Sequence, residues 1–268
     1  MSPSDLFLNA IQRKEAADPA VFPWSLPVFR WMDRLEFTAQ VTFLVGENGS
    51  GKSTLLEGLA AGMDAVAAGG ADIQTDETLA IARRFAAGYR FSRRHKPRAR
   101  LFVRAEDLFG FVHRVSRTMR DLGEMEEHFD RTVKGDYGRM LAKGAVAGQR
   151  RALEGTYGAD PDAMSHGETF INLLQKRLVT EGLYFLDEPE APLSPLRVLS
   201  LISLLKQAVA DGSQLIICTH SPILMAFPGA QILLFDGDQL TPTAYEDIDH
   251  VRLTKAFLND PESFLRRL

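Results

Sequence analysis

Three short apolar runs organise the chain: "VTFLV" at 41–45, "LYFL" at 183–186 and "LIIC" at 215–218. Each is too short for a helix and shows no polar alternation. That pattern predicts strands buried on both faces, as in a parallel sheet covered by helices. Apolar spacing and flanking breakers predict helices near 52–68, 106–121, 168–181, 195–210 and 247–258. "LFLNAIQRK" and "RLEFT" read as edge strands of an antiparallel layer, and "ILLFDGDQLTPTAY" as a late hairpin turning through "DGD". The stretch 70–163 differs in character: many arginines, then the glycine-dotted "KGDYGRMLAKGAVAGQRRALEG". It reads as a mostly helical lobe inserted into one domain that spans 1–268. The expected fold class is α/β, with a mostly parallel sheet, an antiparallel β layer and the inserted lobe.

Composition narrows the class without choosing a function. The 268 residues are 45% hydrophobic and 25% charged, ordinary for a globular protein. A formal net charge of −4 gives no global attraction to nucleic acid or anionic lipid. The single cysteine, Cys218, excludes an intrachain disulfide and suits a reducing compartment. The first residues lack the apolar core and small-residue cleavage site of a signal peptide. No apolar run approaches the roughly 20 residues of a membrane helix. The expectation is a cytoplasmic protein without membrane insertion.

Each buried run is followed at once by polar or glycine residues, "GENGSGKS", "DE" and "TH". Ligands of open α/β sheets bind outside the carboxyl ends of the strands. "GENGSGKS" fits a phosphate-binding loop: Gly46, Glu47, Asn48, Gly49, Ser50 and Gly51 turn their backbone amides inward, and a helix N-terminus follows. Lys52 is placed to neutralise β- and γ-phosphates. Ser53 is placed to hold Mg²⁺, and Thr54 to contact the α-phosphate. The same sequence as a plain glycine turn would not need a buried strand before it and a Leu-rich helix after it. Asp187 is the carboxylate for the metal, and Glu188 the group that polarises water for attack on a γ-phosphate. His220, in "IICTHSP", reaches the same edge, where its ring can meet the γ-phosphate or the attacking water; alone it would read as a histidine in a turn. Cys218 reads as a packed apolar side chain. The ligands expected at this edge are therefore a nucleoside triphosphate and Mg²⁺.

"SHGE" at 165–168 is a capping box, Ser165 with Glu168, opening the helix that carries Phe170, Leu173 and Leu174. The series of phosphate loop, "SHGE", "FLDEPE" and "CTHSP", with the tail after "PGAQILLFDGDQL", resembles the ATP-binding-cassette ATPases. It is closest to soluble AAA-family ATPases of the RecF and SMC neighbourhood. The resemblance implies that "MSHGE" stands in for the "LSGGQ" signature, with Ser165 and Gly167 touching the γ-phosphate of a second molecule in an ATP-dependent homodimer. This chain departs from that pattern in three places. His166 replaces the first signature glycine. "APLS" leaves Ser194 for any cross-dimer role. No glutamine lies between Gln74 and Gln149, so Glu106, just past a strand in "RLFVRAEDLF", is the substitute metal contact.

About 95 residues without sustained heptads separate the loop helix from Ser165, too few for a long coiled-coil arm. The run of Arg90, Arg93, Arg94, Lys96, Arg98, Arg100 and Arg104 suits either a nucleic-acid backbone or a solvated surface that offsets "EMEEHFD". The expected function is an ATPase that dimerises around two Mg-ATP and moves a protein or nucleic-acid partner. The alternatives are the ATP-binding subunit of a transporter, and a nucleotide-gated module of DNA repair or phage defence.

Overall fold

A computed structural model describes residues 6–14, 18, 20–68, 80–133, 135–157 and 166–266. The chain divides into two compact units, Met1–Ala105 with Leu178–Leu268, and Glu106–Arg177.

The first unit holds both sheets. Strand β1 (Leu8–Arg13) pairs antiparallel with β2 (Arg34–Glu36) on one side. Helix α1 (Pro27–Arg30) lies between them in sequence. The large sheet begins with β3 (Val41–Gly46), which runs into helix α2 (Lys52–Gly62) and the short β4 (Val66–Ala67). Helix α3 (Ala80–Ala87), β5 (Tyr89–Arg93) and β6 (Arg100–Arg104) follow. β5 joins the small sheet, whose order is β2-β1-β5. Helices α4 (Ala105–Thr132), α5 (Asp136–Tyr157) and α6 (His166–Arg177) form the second unit, Ala105 apart. The chain then returns through β7 (Leu183–Asp187), α7 (Pro195–Ala210), β8 (Gln214–Cys218) and α8 (Pro222–Met225). It ends with the hairpin β9 (Gln231–Asp236) and β10 (Gln239–Pro242), then α9 (Asp249–Asn259) and α10 (Pro261–Leu265).

The seven-stranded sheet has the order β10-β9-β3-β8-β7-β6-β4. Every pairing in it is parallel except that of the β9–β10 edge. The central β7 and β8 are buried at all positions, and β3 at all but Gly46. Strands covered on both faces have no use for alternation, which is why the three runs read as unbroken apolar stretches. Between β3 and α2 and beneath them, Leu44, Leu55, Leu56, Leu59, Phe85, Phe185 and Ile216 belong to one hydrophobic cluster.

Two glutamines join what the strand ladders do not. Gln214 at the start of β8 accepts from the Leu8 amide at 2.9 Å and donates to the Leu8 carbonyl at 2.9 Å. It thereby satisfies both backbone polar groups of Leu8, which lies beyond the end of the β1–β2 pairing. Gln231 accepts from the Thr38 amide and the Thr42 hydroxyl and donates to the Glu36 carbonyl. These side-chain hydrogen bonds, the Gln214 pair of them buried, fasten the antiparallel sheet to the parallel one.

The expected parallel sheet, antiparallel layer and late hairpin are present, the hairpin turning through Asp236–Asp238. Some boundaries differ. The helix expected over 52–68 stops at Gly62, because Asp64 takes a left-handed backbone (φ 53) and Val66–Ala67 pairs with β6. The lobe expected over 70–163 overlaps α3, β5 and β6, which lie in the first unit, whereas the second unit runs from Glu106 to Arg177. Its two long helices are tied by an Arg150–Glu126 ion pair at 3.1 Å. Among the described residues no helix is long and apolar enough to cross a membrane.

Candidate functional site

Strand β3 delivers the chain to Gly46, whose φ of 149° and surroundings both demand glycine. A β-carbon there would sit 2.7 Å from the Phe235 carbonyl oxygen, backbone of the neighbouring strand. The turn is closed by the Ser50 amide donating to the Glu47 carbonyl at 3.3 Å. Gly51, at φ 103°, then packs on Phe29 and Val28 and starts α2 with no side chain capping its first amides. A left-handed turn and an uncapped helix N-terminus leave backbone N–H groups for an anion.

The Lys52 ammonium is buried and folds back, donating to the Gly46 carbonyl at 2.8 Å and the Glu47 carbonyl at 2.7 Å. Burial pulls its pKa down, while Cys218, Glu188 and Asp187 oppose that shift. Ser53, one residue on, donates its hydroxyl to Asp187 Oδ1 at 3.3 Å.

Asp187, the last residue of β7, is buried, and burial raises its pKa to about 6. The Arg104 guanidinium, the Cys218 thiol and the Ser53 hydroxyl hold it back from rising further. Arg104 ends β6 with Nε 3.9 Å from Asp187 Oδ2, forms an ion pair with Glu57, and lies over the Phe102 ring. Glu57 and Ser53, four residues apart on α2, share one helix face, so α2 meets both Asp187 and Arg104. Cys218 is buried, as expected, but its thiol also hydrogen-bonds the Asp187 carboxylate.

Glu188 leaves the strand with φ 47°, a left-handed conformation that costs a non-glycine residue about 1–2 kcal/mol. Its amide donates to the Cys218 carbonyl at 3.0 Å, which holds the turn. The side chain is half-exposed, with Oε1 3.7 Å from His220 Nε2. That imidazole nitrogen is buried and has no hydrogen-bond partner. Burial and the nearby Lys52 charge lower the His220 pKa, while Glu188 and Glu190 raise it. That shift favours the neutral imidazole, which can donate from one ring nitrogen and accept at the other.

Lys52, Ser53, Asp187, Glu188 and His220 are thus linked by direct contacts or shared electrostatics at one sheet edge. Glu106 lies in the first turn of α4 and Gly167 in the first turn of α6, both in the second unit. The Glu106 side chain and Ser165 lie outside the described residues. Motif reading missed two participants. Arg104 was hidden in the basic run, and Glu190 in what reads as a polar turn. Neither has a role in the motif reading; only the apolar run "LFV" ahead of Arg104 hinted that this residue closes a strand. The basic run itself is largely paired: Arg93 and Arg100 with Asp64, Arg98 with Glu181.

Residues 30–107 match a family model described as an AAA domain. The match spans β3, the phosphate loop, α2 and β6, and it agrees with the P-loop ATPase resemblance drawn from the motifs. No curated protein matches the chain. Among solved structures, the chain is similar to cbiO1 from Clostridium perfringens, part of the ABC transporter complex cbiONQ. The identity is 17%, covering 88% of this chain and 90% of that one, with a TM-score of 0.45. It is also similar to the Smc head domain from Pyrococcus furiosus bound to the C-terminal domain of ScpA. There the identity is 13%, covering 85% of this chain and 95% of that one, with a TM-score of 0.42. The residues at the sheet edge, rather than these likenesses, carry the functional reading.

Proposed function

We propose that the protein is a Mg-dependent ATPase that closes as a homodimer around two ATP molecules and uses that motion on a partner. The observation that carries this reading is the convergence of the glycine loop, Lys52, Ser53, Asp187, Glu188 and His220 on one edge of the parallel sheet. Two oxygen donors, Ser53 and Asp187, meet at 3.3 Å. That is a fitting pair for a hard ion that keeps few protein ligands and completes its shell with phosphate and water. When bound, Mg²⁺ would neutralise phosphate charge. Among the described residues no cluster of three or more His, Cys, Asp or Glu forms a metal cage, which suits such a shared site.

The chain's own residues divide the work. Loop amides and the α2 N-terminus receive the phosphates. Lys52 exchanges its two carbonyl acceptors for β- and γ-phosphate oxygens. Glu188 accepts a proton from the attacking water, and His220 holds the γ-phosphate or that water in line. The products are ADP and inorganic phosphate. Gly167 and Ser165 supply the contact to the second molecule's γ-phosphate, where a helix N-terminus suits an anion.

ATP hydrolysis with and without Mg²⁺ tests the chemistry. Lys52→Ala is expected to lower ATP affinity or turnover at least about 100-fold, roughly 2.7 kcal/mol. Wild-type affinity and turnover in that variant would sink the assignment of the loop. Ser165→Asp tests the two-molecule part, since Asp caps a helix about as well as Ser. The variant should keep its thermal stability and its affinity for ATP as a monomer, yet lose ATP-driven dimerisation and turnover through like-charge repulsion. A variant that dimerises and hydrolyses normally removes the cross-dimer role. Affinity capture with a hydrolysis-blocked form then identifies the partner.

A further inference from the structure

The turn after β7 carries a second carboxylate that no motif assigns. Glu190 follows Glu188 by two residues, in a turn held by the Ala191 amide on the Glu188 carbonyl and the Leu193 amide on the Glu190 carbonyl. Its Oε1 accepts three hydrogen bonds, all from the segment that carries His220. The Thr219 hydroxyl donates at 2.6 Å, the His220 amide at 2.7 Å and the Ser221 amide at 3.1 Å. The Thr219 and His220 bonds are as short as the strong class of hydrogen bonds to a carboxylate. The Ser221 amide is shared with the Thr219 hydroxyl at 3.0 Å, and Ser221 in turn caps α8 by accepting from the Leu224 amide. The segment is therefore fixed from both sides.

A surface turn has no need of such a grip. Glu190 Oε2 is buried without a hydrogen-bond partner, so the site carries the cost of a partly unsatisfied carboxylate. That cost is offset only if the three-donor clamp does something a plain turn cannot. The clamp sits on the peptide of the residue whose imidazole stands 3.7 Å from Glu188. Since Glu188 and Glu190 share one turn, the carboxylate ties the end of β8 to the end of β7 at the point where the two side chains must face each other.

We infer that Glu190 is a positioning residue: its carboxylate locks the 219–221 backbone and thereby sets the placement of His220 against Glu188 for γ-phosphate hydrolysis. The inference rests on the ATPase reading above. It gives one turn two distinct carboxylate roles, Glu188 toward water and Glu190 toward the protein's own backbone.

The test is steady-state kinetics on the full chain. Glu190→Ala should lower kcat by about 10–100-fold, the usual range for loss of a supporting hydrogen bond, and leave KM for ATP within about threefold. Glu190→Gln, which keeps an acceptor oxygen, should recover most of that kcat. The double variant Glu190→Ala/His220→Ala should be no slower than His220→Ala alone, because both changes remove one function. Amide hydrogen exchange at His220 and Ser221 should speed up in Glu190→Ala. If the Ala variant does not fold, Glu190→Asp retracts the acceptor by one methylene and should still lower kcat. Wild-type kcat in either the Ala or the Asp variant, additive losses in the double variant, or unchanged exchange at 220 and 221 overturns the inference alone. A wild-type protein that hydrolyses no ATP overturns the ATPase reading and the inference together.

Discussion

The phosphate loop and the acidic edge across from it are built on opposite principles. The loop works by what is missing. Gly46 and Gly51 have no β-carbon, α2 has no capping side chain, and the chemistry is left to backbone amides. The acidic edge works by what is added: Asp187 is held by Ser53, Arg104 and Cys218, and the Glu188 backbone is bent into a left-handed turn. A backbone site tolerates change in its ligand's orientation but not in its own residues. A side-chain site can be retuned by single substitutions, and each leaves a distinct trace.

The difference can be broken most forcefully at Glu188. Glu188→Gln keeps size and hydrogen bonding but removes the proton acceptor, so turnover should fall by about 10³-fold while ATP binding survives. With saturating Mg-ATP, light scattering on a sizing column should then show a dimer. A monomer, or unimpaired turnover, contradicts the role given to Glu188.

On the loop side, the smallest possible addition should act on the fold itself. Gly46→Ala brings a methyl group against the Phe235 backbone at a φ of 149°, and should cost about 3 kcal/mol of stability, read by thermal or urea unfolding. A variant as stable as the parent would show that the close approach of β3 and β9 is not what fixes this residue.

The smallest effect has the opposite sign. Burial raises the Asp187 pKa to about 6 in the folded, nucleotide-free protein, against an ordinary value near 3.9 in the unfolded chain. Between those values the folded state binds more protons, so stability falls as pH rises through the window, and the full penalty persists above it. Asp187→Asn removes the penalty. At pH 8 it should stabilise the protein by roughly 2–3 kcal/mol, since a value of about 6 already includes the attraction to Arg104, while Mg-dependent turnover fails. The gain should disappear near pH 4. A variant equally stable or weaker at pH 8 would show that Arg104 and Cys218 already cancel the cost of burial.

The contrast also decides what could be read from the chain. Gly46, Gly49, Gly51, Lys52 and Ser53 were legible because a backbone site needs glycines at fixed spacing, and spacing is local. The runs at β3, β7 and β8 were legible because double burial erases alternation. β5 was missed: Tyr89 and Phe91 point one way, yet Arg90 and Ser92 on the other face and Arg93 at the end make the segment look like a charged loop. The alanine-rich stretch after α2 favours a longer helix by propensity, and pairing of Val66–Ala67 with β6 overrode it. Glu190 was illegible for a different reason. Its three donors lie 29 to 31 residues further along the chain, and no local pattern records an acceptor waiting for them.

The Gln214 clasp sets a schedule for synthesis. Leu8 and Gln214 are 206 residues apart, and β3 takes its neighbours from β8 and β9. A ribosome therefore presents the apolar β3 long before its sheet neighbours exist, and Leu8 long before Gln214. At about 5–20 residues per second the wait is on the order of ten seconds or more, with an unpaired strand exposed throughout. Closure over such separations is slow even once the chain is complete. The strand that ends in the phosphate loop thus stays without either sheet neighbour until β8 and β9 have been made.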